Sequence, residues 1–208
     1  MERPGELVPL HYVSLGAQGP EDVLPDPHGR VLTGVADGRI LRLHHLGDPR
    51  AARVEVLAET GGRPLGLELL PDGDLLVCDA ERGLLRVGTG DGTVRVLADS
   101  VAGEPLRFCS NAVALADGSV YATVSSRRHS LDRWIGDIVE HTGTGRPYRP
   151  SGTTGVIAVD DQGRTVHHLA RRRSGFRMVT SVGAVGDHLV LGSVWESGVA
   201  VCARPAAR

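Results

Sequence analysis

Short apolar runs alternate with glycine-bearing acidic turns along most of this chain. Asp26-Pro27-His28-Gly29-Arg30-Val31-Leu32, Pro71-Asp72-Gly73-Asp74-Leu75-Leu76 and Ala116-Asp117-Gly118-Ser119-Val120-Tyr121 read alike, and Gly29, Gly73 and Gly118 lie 44 and 45 residues apart. A fourth copy, Val185-Gly186-Asp187-His188-Leu189-Val190, follows after a longer gap. In each copy one apolar run meets the turn and a second leaves it, which is a β-hairpin signal. The second copy expands into four strands, at residues 65–70, 74–78, 82–87 and 93–98, and the first matches it at 21–25, 30–33, 39–43 and 53–58. Four antiparallel strands per repeat of about 45 residues predict an all-β fold, a β-propeller with four recognisable blades.

The blades are expected at residues 20–58, 65–98, 110–169 and 178–203 of a single propeller-like domain over 1–208. The third carries an insertion at 127–149, within which Leu131, Trp134, Ile135 and Ile138 have the spacing of a short helix over 130–140. The last blade supplies three clear strands. The alternating N-terminal run 6–13 is expected to complete it, closing an edge that would otherwise invite aggregation. A β-sandwich with accidental repetition is the alternative.

Composition narrows the chemistry. At 208 residues, 41% apolar and 23% charged, the chain can bury a core. A net charge of −2 argues against a nucleic-acid partner. All 23 basic residues are arginine, which excludes Schiff-base and P-loop lysine mechanisms. No apolar run approaches the ~20 residues of a membrane span, so no membrane partner is expected. Met1-Glu2-Arg3-Pro4-Gly5-Glu6 lacks the apolar core of a signal peptide, and a cytoplasmic location is expected. Cys78, Cys109 and Cys202 form no CxxC and read as reduced, mostly buried thiols.

The repeat register places residues at the start of each first strand. Eight positions before the reference position stand Glu21, Leu65, Ser110 and Val179; seven before stand Asp22, Gly66, Asn111 and Thr180. In a propeller these positions converge on the central channel. A hard cation such as calcium takes about 6–8 oxygen ligands, and Glu21, Asp22, Ser110, Asn111 and Thr180 could supply some. The plainer reading makes them strand-start residues capping backbone groups. Of nine histidines, the adjacent pairs His44-His45 and His167-His168 point to opposite faces of a strand and do not chelate one metal. His129, in the insertion, is the candidate general base over the channel mouth. Arg171-Arg172-Arg173 reads as a solvated loop between strands, and Glu196 as an exposed turn residue.

Gly19-Pro20-Glu21-Asp22-Val23 resembles the opening motif of the strictosidine synthase-like proteins, relatives of the SMP-30/gluconolactonase group of six-bladed propellers. The resemblance continues through Gly62-Arg63-Pro64-Leu65-Gly66-Leu67-Glu68, Leu76-Val77-Cys78-Asp79-Ala80, Pro105-Leu106-Arg107-Phe108-Cys109 and Val120-Tyr121-Ala122-Thr123-Val124-Ser125-Ser126. Gly136-Asp137-Ile138-Val139-Glu140-His141-Thr142-Gly143-Thr144-Gly145-Arg146, Arg177-Met178-Val179-Thr180-Ser181-Val182 and Leu191-Gly192-Ser193 follow in the family's order.

The resemblance implies one calcium-type ion in the channel mouth, held by a glutamate, asparagines and an aspartate. It also implies hydrolysis of lactones or esters in much of the wider group. Against that pattern the chain is about two blades short, with the break near residues 148–153, and the ligands those blades carry have no counterpart. The family's Asn-Asp pair reads Ser110-Asn111, its Thr-Asp-Ser-Ser reads Thr123-Val124-Ser125-Ser126, and only Glu21 is carried over intact. The acidic residue of the plant condensing enzyme aligns near Ala184, which excludes that chemistry.

Two functions follow from these readings. One is a divalent-metal-dependent hydrolase of small lactones or esters, with Glu21, Asn111 and Ser110 toward calcium or another divalent cation and His129 as base. The other is a non-catalytic binding propeller that has lost the metal site. Self-association is expected if four blades leave an open arc.

Overall fold

The computed structural model describes residues 5–6, 8–101, 104–114, 120–124, 130–133, 153–159, 165–172, 176 and 179–204. The first strands are β1 (Gly5–Glu6) and β2 (His11–Ser14). Next come β3 (Leu24–Pro25), β4 (Val31–Gly34), β5 (Arg39–His44) and β6 (Arg53–Glu59), one sheet in the order β3-β4-β5-β6. Then follow β7 (Pro64–Leu69), β8 (Leu75–Asp79), β9 (Gly83–Val87) and β10 (Val94–Ala98), an antiparallel sheet in sequence order. Short β11 (Ser100–Val101) and β12 (Glu104–Pro105) pair with each other, as do β13 (Cys109–Ala114) and β14 (Val120–Val124). After them come β15 (Thr153–Val159), β16 (Thr165–Arg172), β17 (Val179–Val185), β18 (His188–Ser193) and β19 (Gly198–Ala203). The fold is all-β, built on four-stranded sheets, with the blade count of a partial propeller.

The chain divides into two compact units, one of Met1–Val31, Leu43–Val54 and Pro150–Arg208, the other of Leu32–Arg42 and Glu55–Arg149. In the first, β17, β18 and β19 form an antiparallel sheet that β2 completes, Gly198 opposite Ser14 and Val201 opposite His11. The N-terminal run thus supplies the fourth strand, beginning at His11. Phe176, Leu189, Leu191, Ala200 and Cys202 form its core, with Leu10 packed against them. In the second, β8 is buried along its whole length, which requires apolar contacts on both faces and explains a continuous apolar run in place of alternation. At the edge of the same sheet, paired with β9, β10 is mostly exposed and carries Arg95, a charge that blunts the sheet edge.

The repeated turns share one geometry. Asp26 N donates to Arg30 O, Val35 N to Arg39 O and Leu70 N to Asp74 O, while Gly29, Gly38 and Gly73 donate back to the first residue of each turn. Those glycines have φ of 75°, 91° and 90°, the left-handed backbone that glycine adopts without a Cβ penalty.

Blade three departs from expectation. β13–β14 and β15–β16 belong to separate sheets, and β16 takes β1 as a parallel neighbour, Gly5 opposite Leu169. Alternation identifies strands but does not say which of them pair across the long segment between Val124 and Thr153. Of the helix expected over 130–140, Leu131–Arg133 forms a single 3-10 turn, and residues 134–140 lie outside the described ones. Arg171 and Arg172 are strand residues of β16, opposite Thr154 and Thr153, rather than loop.

Surface ion pairs set an acid limit. The Arg39 guanidinium, 2.7 Å from Asp37, holds that carboxyl below its ordinary value, and Arg86 does the same for Asp72. A carboxyl lowered in the folded chain adds stability above its unfolded value of about 3.9, lost as pH falls through the lowered value. The thermal midpoint should therefore drop below about pH 4, and Arg39→Gln and Arg86→Gln should each make that drop shallower. Midpoints recorded from pH 6 to pH 3 test this; identical slopes in parent and variants would refute it.

Candidate functional site

Each site candidate among the described residues lies near the start of the first strand of its own sheet. In the first unit, Thr180 Oγ1 and Ser181 Oγ donate to the Glu21 main-chain oxygen at 2.6 and 2.7 Å. Ser193 N donates to Pro20 O at 2.6 Å, and Gly19 N to Glu196 O at 2.8 Å. A Cβ on Gly192 would stand 2.5 Å from Ser181 Oγ and 2.6 Å from Pro20 O, so only glycine lets β18 approach this closely. Residues Gly19 to Glu21 are thus clamped to the sheet of β17 and β18. Asp22 Oδ1 accepts from Val23 N at 2.9 Å, the backbone-capping role of the plainer reading.

In the second unit, Ser110 Oγ donates to Phe108 O at 3.2 Å, and Asn111 Oδ1 accepts from Ala112 N at 2.8 Å. A Cβ on Gly66 would lie 2.5 Å from Ser110 O, 2.8 Å from Asn111 Cα and 3.1 Å from Asn111 Oδ1. Gly66 and Asn111, which the repeat register made equivalent, therefore meet in neighbouring strands of the second unit, while in the first Thr180 meets Glu21, one place from its own equivalent, Asp22.

A second regularity was missed from sequence. The ladder loses register between Pro64 and Leu67, between Cys109 and Asn111, and between Val179 and Ser181. Each irregularity falls on the positions singled out by the repeat. Bulges of this kind re-aim side chains and recur beside functional sites. The one signal for them in the sequence is the small or hydroxyl residue at each place, Gly66, Ser110 and Thr180.

The donors suit a hard cation in kind, through the Glu21 carboxylate, amide and hydroxyl oxygens and main-chain carbonyls. They are few: among the described residues no group of three or more His, Cys, Asp or Glu could hold a metal ion. Asn111 Oδ1 is already engaged by its own backbone neighbour. His129, the candidate base, lies outside the described residues. His44 and His45 do not take opposite faces of a strand. His45 leaves β5 with φ of 55°, and the two rings stand 6.2 Å apart, tilted by 40°.

All three cysteines are buried, and none is in a disulfide. The hydrogen bond from Cys78 holds the Cys109 thiol below its ordinary value despite burial, whereas burial pushes Cys202 up. No helix among the described residues is long and apolar enough to cross a membrane.

Residues 6–43 match the family model for the N-terminal part of strictosidine synthase-like proteins. Strictosidine synthase-like protein 3 of Arabidopsis thaliana is 34% identical over 148 residues, covering 62% of this chain and 38% of that protein. Strictosidine synthase-like protein 6 of the same plant is 34% identical over 157 residues, covering 74% and 42%. The chain thus spans about two fifths of the length of these relatives. In fold it is similar to a gluconolactonase from Xanthomonas campestris, with a TM-score of 0.56 and 13% identity over 97% of this chain and 91% of that one. With its motifs in family order and its blade-like sheets, the chain belongs to the strictosidine synthase-like family of β-propellers, on a fold similar to that of the gluconolactonase.

Proposed function

We propose that this protein is a hydrolase of small lactones or esters in which the Glu21 carboxylate holds a calcium-type divalent ion. The observation that carries the reading is the clamp on Glu21. Two hydroxyls and a close glycine fix its main chain. The gluconolactonase named above supports the substrate class by its similar fold. When bound, such an ion polarises a carbonyl and lowers the pKa of water. The chain's own part is to present Glu21 at a fixed position with hard oxygens around it. A small-molecule substrate also accords with the near-neutral charge, and three cysteines outside any disulfide accord with a cytoplasmic setting.

Thermal unfolding in EDTA and then in millimolar calcium tests the ion. Ligand at ~100 times its dissociation constant adds about 2.7 kcal/mol, or roughly 5–10 °C in midpoint for a chain of this size. Glu21→Gln should abolish both that shift and lactone turnover. A transition indifferent to calcium, with no turnover, would overturn the proposal. That result would favour the second reading, a binding propeller without a metal site, to which the engaged Asn111 amide points.

A further inference from the structure

We propose that Cys78 and Cys109 form a redox modification site, a buried dithiol that hydrogen peroxide converts into a disulfide within one chain. Cys78 is the fourth residue of β8 and Cys109 the first of β13, 31 positions on in sequence. Both are almost fully buried, at 1% and 0% exposure, in one cluster with Leu76 and Leu84. Within that cluster the two thiols share a hydrogen bond. A single cysteine in a core behaves as a small apolar residue and needs no further account. Two packed in one buried cluster, with their strand ends tied together, need an approach of their sulfurs to the roughly 2.05 Å of an S–S bond.

The surroundings favour that approach. Phe108 N donates to Ala80 O at 2.8 Å, tying the start of β13 to the end of β8. The β13 ladder loses register directly after Cys109, and Phe108 has φ of 52°. A strand end with an irregular ladder is where local opening admits a small oxidant without global unfolding. Cys202 sits in the other unit, among Phe176, Leu189, Leu191 and Ala200, and serves as an internal control.

The chemistry balances with peroxide as the sole oxidant. One thiolate attacks a peroxide oxygen, the O–O bond breaks, and the products are a sulfenic acid and, after protonation, water. The second sulfur attacks the sulfenic sulfur, the S–O bond breaks and a second water leaves. Two thiols and one hydrogen peroxide give one disulfide and two waters; the sulfurs lose two electrons and the peroxide gains them.

The experiment uses the full chain carrying Cys202→Ala, exposed to hydrogen peroxide in native buffer, with circular dichroism to show that it stays folded. Remaining thiols are then alkylated and the chain is cut after arginine. Fragments 54–82 and 108–127 are expected joined, lighter by two hydrogens than their sum, and separated again by reductant. In Cys78→Ser, Cys109 should stop at the sulfenic acid and be captured by dimedone. Alkylation of both thiols after peroxide treatment would overturn the proposal. So would a sulfinic acid on Cys109 beside an intact Cys78, or a disulfide between two chains.

Discussion

Asp79→Ala is expected to cost about 3–5 kcal/mol and to lower the thermal midpoint by roughly 10 °C. Asp79 closes β8 and is fully buried. Its Oδ1 accepts from Arg63 N, Glu81 N and Arg82 N at 2.9, 2.9 and 3.0 Å, and its Oδ2 accepts from Thr60 Oγ1 at 2.7 Å. Thr60 in turn reaches Gly38 O, and the Arg82 guanidinium reaches Thr60 O. One side chain therefore joins the end of β6, the start of β7 and the turn into β9. Removing it strands several donors in a place with little water, and each unmet buried donor costs about 1–3 kcal/mol. The packing leaves no substitute. A Cβ on Gly62 would fall 2.2 Å from Asp79 Oδ1, so the neighbouring chain is already in contact with the carboxyl. Asp79→Asn keeps an oxygen for the three backbone donors and should cost about 1 kcal/mol. Urea unfolding of both variants beside Glu81→Ala, an exposed neighbour, measures the difference. Equal costs for Asp79→Ala and Glu81→Ala would show that the hub does not hold the sheet.

Asp79 illustrates what sequence makes legible. The motif Leu76-Val77-Cys78-Asp79-Ala80 and the turn that follows it are readable from alternation and from turn chemistry. The number of groups converging on the carboxyl is not, because Thr60 and Arg63 come from another strand boundary. The same division runs through the fold. The hairpins at Gly29 and Gly73 are local events, specified by residues within the turn, and both form with matching hydrogen bonds. The pairing of β2 with β19 joins the two ends of the chain, yet the alternation of residues 6–13 reveals a strand that needs a partner. Blade three fails for the complementary reason. Its strands exist, but their partners are chosen by tertiary packing, and β16 pairs with β1.

The contacts around the candidate positions were legible in part by counting and illegible in detail. Equal offsets from repeated glycines brought Gly66 to Asn111, and Thr180 reached Glu21 one register place away from its equivalent. Counting does not register a bulge, and the irregularity between Cys109 and Asn111 decides which way the Asn111 side chain points. Asn111 accordingly spends its oxygen on Ala112 N, a local bond that motif resemblance does not foresee.

Gly66→Ala should destabilise the chain by about 2–3 kcal/mol, with the sign itself diagnostic. An added methyl at a glycine of ordinary backbone usually stabilises by about 0.4–1 kcal/mol, because it restricts the unfolded chain. Gly66 has no left-handed φ, so backbone conformation does not oppose the methyl. Contact does. The new carbon would stand 2.5 Å from Ser110 O and 2.8 Å from Asn111 Cα, both main-chain atoms that cannot rotate away. β13 must shift, and with it the start of the strand carrying Ser110 and Asn111. Gly90 is the control: its Cβ would meet nothing within 4 Å, and Gly90→Ala should be neutral or slightly stabilising. Gly73 separates the conformational cause from the contact. Its space is also open but its φ is +90°, so Gly73→Ala should cost about 1 kcal/mol through backbone strain alone. Urea midpoints of the three variants, with hydrogen exchange at Asn111 and Ala112, resolve the cases. A Gly66→Ala midpoint equal to that of Gly90→Ala would mean that β7 and β13 do not meet at this distance. A loss larger than that of Gly73→Ala, with faster exchange confined to the start of β13, would mean that the missing side chain at Gly66 is what lets Ser110 and Asn111 occupy the mouth of their sheet.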